Sequence, residues 1–201
     1  FGRKDAFPGM DETQLPQGSI NKNAGDNMSI INGIQNPQNF YTYGNSWTNT
    51  PPASYTYYNL WSADNTTGGY NDNTVVKTVY DPCPVGFKMP ANNAFTGFTA
   101  NGQNDGTMNV DGTDDRQTFS NNFGHNFWTS SSKTATINFP ASGYHRSSDG
   151  SLENVGYYGC YWSAVPYDTN SGCSLRFVPG SVSPLDYDAR AYGLAVRPVS
   201  E

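Results

Sequence analysis

The reactive side chains of this chain gather in its last quarter, and their types suit contact more than bond making. Tyr157, Tyr158, Tyr167, Tyr187 and Tyr192 offer large amphipathic rings. Ser171, Ser174, Ser181 and Ser183 offer small hydroxyls, and Asp168, Asp186, Asp188 and Arg176 offer charge. Cys160, Cys173, Val178 and Ala189 complete the positions expected to face outward between about Tyr157 and Tyr192. Rigid aromatic area beside adaptable hydrogen-bonding groups is the make-up of a surface that recognises partners. Each residue also has a plainer reading. The tyrosines could be ordinary loop residues, Arg176 a solvated strand residue and the aspartates soluble loop acids, while Trp162 reads as core.

From Asn154 to Ser200 the chain has no Lys, Glu, Gln or Met, although 18 such residues occur elsewhere in it. With Trp, these are the residues that no codon ending in cytosine can encode. The segment therefore has the alphabet expected if asparagine codons (AAC) were randomised at their two adenines. It reads as a diversified binding surface, and the rest of the chain as its scaffold.

Constellations for catalysis or metal binding are weak by comparison. His125 and His145 lie 20 residues apart with no paired-histidine helix motif, so both read as surface or loop histidines. No nucleophile elbow, phosphate-cradling loop or dinucleotide fingerprint occurs. The loop Asn101-Gly102-Gln103-Asn104-Asp105-Gly106, followed by Asp111, Asp114 and Asp115, loosely echoes a calcium loop. Gly112 stands where a bidentate Glu should close such a site. A solvated loop is the expectation there, calcium the alternative, and no cofactor is expected elsewhere. Cys83 sits between prolines, and Cys160 and Cys173 are 13 apart; their spacing leaves open whether they bridge.

The elements that must position these groups are short. Charged residues make up 14% and aromatics 14%, and 21 Gly and 13 Pro punctuate nearly every segment, which disfavours long helices. At 201 residues the chain suits one core and a single domain over 1–201. Residues 1–73 read as loop, broken at Phe7-Pro8-Gly9, Asn36-Pro37, Pro51-Pro52 and Gly68-Gly69. Tyr41, Tyr43, Trp47, Tyr55, Tyr57, Tyr58 and Trp61 pack beneath that loop or form a carbohydrate-stacking platform. Strands are expected over 74–80, 134–139, 161–165, 174–178 and 193–199, and a hairpin turns at Asp149-Gly150. A short helix follows Pro90, and residues 100–126 read as a polar insertion. Between Ser174 and Ser183, apolar inward positions alternate with changeable ones. The run from Asp186 to Gly193 reads as a rewritten asparagine-rich stretch.

Net charge is −6 and the 11 basic residues are scattered, which argues against nucleic acid. No apolar run reaches the length of a membrane span. The chain starts at Phe1 without an initiator Met and is expected to be a piece of a longer protein.

Several phrases carry a resemblance. Gly2-Arg3-Lys4-Asp5-Ala6-Phe7-Pro8-Gly9 and the 79–90 run VYDPCPVGFKMP come first. Phe139-Pro140-Ala141-Ser142-Gly143-Tyr144, Tyr161-Trp162-Ser163-Ala164 and the 193–199 run GLAVRPV follow. Together they resemble the FISUMP-type major paralogous domain of secreted and surface proteins in Gram-negative anaerobes. The resemblance implies an α+β, C-type-lectin-like fold: short twisted antiparallel strands, one or two short helices and extensive loops. It also implies display at the cell surface (on an outer-membrane lipoprotein or a pilus) or on a phage particle. Two departures stand out. Pro198 occupies a position where the family often has Cys, and the family's strand and helix before the Gly-Arg-Lys-Asp phrase are missing.

The last quarter is similar to the variable regions of target proteins of diversity-generating retroelements. There an error-prone reverse transcriptase rewrites template adenines. The expectation is a surface-displayed adhesin or receptor-binding module whose target is a protein or glycan on another cell or particle. The rival is a structural pilus-tip or phage-tail subunit without diversification. An enzyme, by analogy with formylglycine-generating proteins of related fold, would need a reactive cysteine pair that this sequence does not evidently provide.

Overall fold

Short β-branched and aromatic runs interrupted by Gly and Pro build short strands. The computed structural model, which describes residues 4, 22–23, 35–37, 39–41, 60–63, 69–112, 116–168 and 170–201, shows an α+β arrangement of this kind. Strands β1 (Lys22–Asn23) and β2 (Phe40–Tyr41) pair in parallel. Next come β3 (Phe87–Lys88), a 3-10 helix (Asn92–Phe98) and helix α1 (Arg116–Asn122). Two antiparallel pairs follow: β4 (Gly124–Trp128) with β5 (Thr136–Pro140), and β6 (Tyr144–His145) with β7 (Leu152–Glu153). The longest strands, β8 (Gly159–Pro166), β9 (Ser171–Val178) and β10 (Ser181–Ala189), form an antiparallel sheet with β9 in the middle. Strand β11 (Val199–Ser200) returns to pair with β3.

Each face of the central sheet packs a separate core, because neighbouring residues on a strand point to opposite sides. Tyr161, Leu175, Phe177 and Val182 join Phe95, Phe119, Phe127 and Phe139 on one face. Trp162, next to Tyr161, joins Trp61, Val75, Cys83 and Met89 on the other. Ring pairs meet mostly edge to face, as with Phe127–Phe139 at 5.8 Å and 83°. His125, read from sequence as a surface histidine, is instead buried in the first core. Its ring centroid lies 4.7 Å from that of Phe119, and its Nε2 is 3.1 Å from the Val178 carbonyl.

The phrases that carry the resemblance hold one another where they are described. The buried Asp81 carboxylate accepts the Cys83 N–H at 2.7 Å and the Met89 N–H at 2.9 Å. Ala164 donates its N–H to the Pro90 carbonyl at 2.8 Å, and Trp162 donates to Ala195 at 3.0 Å.

Elsewhere the structure corrects the sequence reading. Residues 74–80 form no strand. Among the described residues only an isolated bridge from Lys77 to Ser62 occurs, and the Lys77 ammonium donates to the carbonyls of Cys83 and Pro84. Residues 193–199 likewise make isolated bridges, Gly193 to His145 and Ala195 to Tyr161, before β11 begins. The helix after Pro90 is a 3-10 helix. The polar stretch 100–126 contains α1, whose Phe119 is buried, and enters β4. Tyr41 is half-buried and Trp61 buried, whereas Tyr43, Trp47, Tyr55, Tyr57 and Tyr58 lie outside the described residues. So do Phe7-Pro8-Gly9, Pro51-Pro52, Asp114 and Asp115. Among the described residues no helix is long and apolar enough to cross a membrane.

Candidate ligand-binding face

Among the described residues β10 is one of the two edge strands of the central sheet, and its register decides which side chains meet solvent. Ser181 stands opposite Val178 and Ser183 opposite Arg176; one residue is then extra, so that Asp186 stands opposite Ser174 and Tyr187 opposite Cys173. A bulge of one residue inverts the alternation. Odd positions share the Arg176 side before it, even positions after it.

The candidate residues consequently form two groups that meet along β10, a correction to the single face expected. On the Arg176 side lie Ser181, Ser183, Asp186 and Asp188. The Arg176 guanidinium sits 4.8 Å over the Tyr158 ring and 3.8 Å from the Asp186 carboxylate. Tyr158 meets Tyr157 at 5.2 Å and Tyr144 at 6.0 Å, and Tyr144 meets Tyr192 at 5.5 Å. Tyr192 itself is half-buried against the second core. On the other side Tyr187 stacks on Tyr167 at 4.1 Å with rings 3° from parallel, and Tyr70 tilts onto Tyr167 at 5.3 Å. Asp168, exposed, anchors the turn between β8 and β9 by accepting the N–H groups of Asn170 and Ser171, both at 2.7 Å. Ala189 and Ser171 face each other, half-buried, at the end of the ladder.

Three candidate positions are corrected outright: Cys160, Cys173 and Ser174 are buried. Cys173 and Ser174 lie on the central strand, flanked on both sides. Ser174 stands opposite Trp162 of the second core, and its hydroxyl donates to Asp188 at 3.0 Å. All three cysteines of the chain are free thiols. Burial pushes each of them up to about 12, with Asp81 adding to the effect at Cys83 and Asp188 at Cys160. The native protein is therefore expected to resist Ellman's reagent near pH 8, while the urea-unfolded chain yields three reactive thiols.

Burial also raises the carboxyls of Asp186 and Asp188. Each is offset in part by Arg176, and Asp188 is raised further by Asp186. A raised folded-state pKa means that the folded protein holds the proton longer, so stability falls as pH rises above the ordinary value of 3.8 through the raised one. Asp188→Asn, whose amide oxygen can still accept from Ser174, is expected to stabilise the fold at neutral pH. It should have little effect below the ordinary carboxylate value; urea midpoints from about pH 3 to about pH 8 check this.

The loop expected to be solvated, with calcium as the alternative, reaches β10 through one side chain. The Asn104 side chain accepts the Leu185 N–H at 2.9 Å and donates to the Leu185 carbonyl at 2.6 Å, clasping β10 at its bulge. Among the described residues, no three His, Cys, Asp or Glu side chains group to hold a metal. Asn104, Tyr70 and Tyr144 are the participants that sequence reading missed. The sequence marks Asn104 only as part of the calcium-like loop and Tyr144 only as part of the 139–144 phrase, and neither pattern, nor any around Tyr70, points to the residues they meet.

A family model described as Domain of unknown function (DUF8237) matches residues 98–199, half of the chain, including β8, β9, β10 and both groups of candidate residues. No curated protein and no solved structure matches.

Proposed function

Because the chain belongs to the DUF8237 family, whose span takes in the candidate residues from Tyr157 to Tyr192 but not Tyr70, we propose that this surface is what the domain exists to present: a diversified ligand-binding face on a C-type-lectin-like frame. The module would be displayed at the cell surface, on a pilus or lipoprotein, or on a phage particle. It would bind a protein or glycan on another cell or particle by shape and hydrogen-bond complementarity.

The observation that carries this reading is the solvent-reached stack of Tyr167 and Tyr187, set on strands whose intervening residues are core. Leu175, Phe177 and Val182 are fully buried, while Arg176 and Tyr187 on the same two strands are exposed. Outward residues there can change without disturbing the inward ones. Large exposed aromatic residues gathered together mark interaction sites more often than scattered ones do.

The gene tests the proposal. Cytosine-ending codons are expected at the outward positions between residues 157 and 192, with an asparagine-rich near-copy of that stretch and a reverse-transcriptase gene nearby. Sequencing the locus across sibling isolates should find changes at Tyr157, Tyr167, Arg176, Asp186 and Tyr187 and none at Leu175 or Phe177. Changes spread evenly over 1–201, or a locus without the near-copy, would defeat diversification and favour a structural subunit.

A further inference from the structure

We infer that this chain's version of the surface takes a basic protein segment, with an arginine or lysine side chain laid on the outer ring of the Tyr167–Tyr187 stack. The inference rests on the binding-face reading above and names the chemistry of its partner. Tyr187 has one ring face against Tyr167 and is 48% exposed, so solvent reaches its remaining face and edge. An aromatic face is electron-rich and attracts a cation, an arginine plane best of all.

The charges around the stack point the same way. Asp168 is exposed beside Tyr167, with one carboxylate oxygen engaged by the turn. Asp186, next to Tyr187 on β10, turns to the opposite side of the sheet and pairs with Arg176, so Asp168 is the carboxylate beside the rings. The cations at hand are committed elsewhere. Arg190 is buried and donates to the carbonyls of Ser171 and Asp168 at 3.2 and 2.9 Å. Arg176 lies on the other side of the sheet against Tyr158 and Asp186. No lysine occurs from Asn154 to Ser200, and the chain as a whole carries −6. An acidic glycan or a phosphate would meet repulsion, and a neutral sugar, whose hydroxyls can donate to Asp168, lacks the positive charge that the ring face and the carboxylate both attract. A second copy adding a strand to β10 is opposed at the bulge, where Pro184 has no N–H and Asn104 occupies both backbone groups of Leu185.

Titration by two-dimensional NMR, with the peptide amide Gly-Arg-Gly-Arg-Gly, its Glu counterpart and maltopentaose as probes, tests the inference. The arginine peptide is expected to saturate with shifts centred on residues 167–168 and 186–188, and to weaken in about 0.5 M salt. Tyr187→Ser should weaken it about 10-fold and Asp168→Asn, which keeps the turn's acceptor oxygen, about 3-fold, whereas Tyr187→Phe should bind like the parent. An arginine-peptide response that is absent, or unchanged in Tyr187→Ser, overturns the inference. So does equal binding of the glutamate peptide. Tyr187-dependent binding of maltopentaose in place of the arginine peptide also overturns it, yet leaves the binding-face reading standing. Arginine binding at a locus without the retroelement signature would do the reverse, sinking diversification alone.

Discussion

Gly159→Ala is expected to lower the stability of the domain by about 3 kcal/mol, read as a shift of the urea midpoint with little change in its slope. A Cβ on Gly159 would stand 1.9 Å from one Phe177 ring atom and 2.3 Å from two others. The ring has nowhere to go: His125, Phe127, Phe119 and Tyr161 surround it at centroid distances of 5.4 to 6.2 Å. Gly159 and Phe177 are direct partners at the end of the β8–β9 ladder, so the clash falls where Phe177 enters the first core. Tyr187→Ser, on the neighbouring strand, is expected to change stability by no more than about 0.5 kcal/mol. The contrast between the two variants measures how far frame and display are separated. A Gly159→Ala protein as stable as its parent would mean that the Phe177 ring is not seated as described.

Asp81→Ala is the second large effect, again about 3 kcal/mol, because it orphans two buried backbone donors at once. The two carboxylate oxygens divide the work, one accepting from Cys83 and the other from Met89. Met89 is fully buried in the second core, and Pro90 beside it receives the Ala164 N–H. Loosening this loop therefore undoes a brace of β8. Asp81→Asn, which keeps one acceptor, should lose about half as much. A local readout accompanies the global one: Cys83, held up partly by Asp81, should become the first thiol to react in Asp81→Ala. Unchanged thermal stability together with an unreactive Cys83 would refute this account of the loop.

Several elements were legible from their residues alone. The runs at 134–139, 161–165 and 174–178 became β5, β8 and β9, and the Asp149-Gly150 turn joins β6 to β7. These segments declare themselves through local alternation and turn chemistry. Residues 74–80 misled because β-branched side chains favour extended backbone without supplying a partner strand. Val76 and Val79 remain exposed and only Val75 is buried. Strand β10 was illegible past Pro184, since a bulge inverts the inward–outward rhythm on which such reading depends. The same slip explains why outward positions can be named from 176 to 183, while Asp186 and Tyr187, expected on one face, lie on opposite sides. Burial of Ser174 was hidden for another reason: what covers it comes with Trp162, whose partners Trp61 and Val75 are remote in sequence. The tyrosine stack was half visible, with Tyr167 and Tyr187 named and Tyr70 not.

The one-residue slip in β10 has a geometric consequence for anything that docks there. A short coding stretch, Ser183 to Asp188, dresses both sides of the sheet's rim, with Arg176 and Asp186 to one side and Tyr187 to the other. A visitor gripping only one flank samples half of what that stretch encodes. To touch all of it, the visitor must straddle the rim like a saddle.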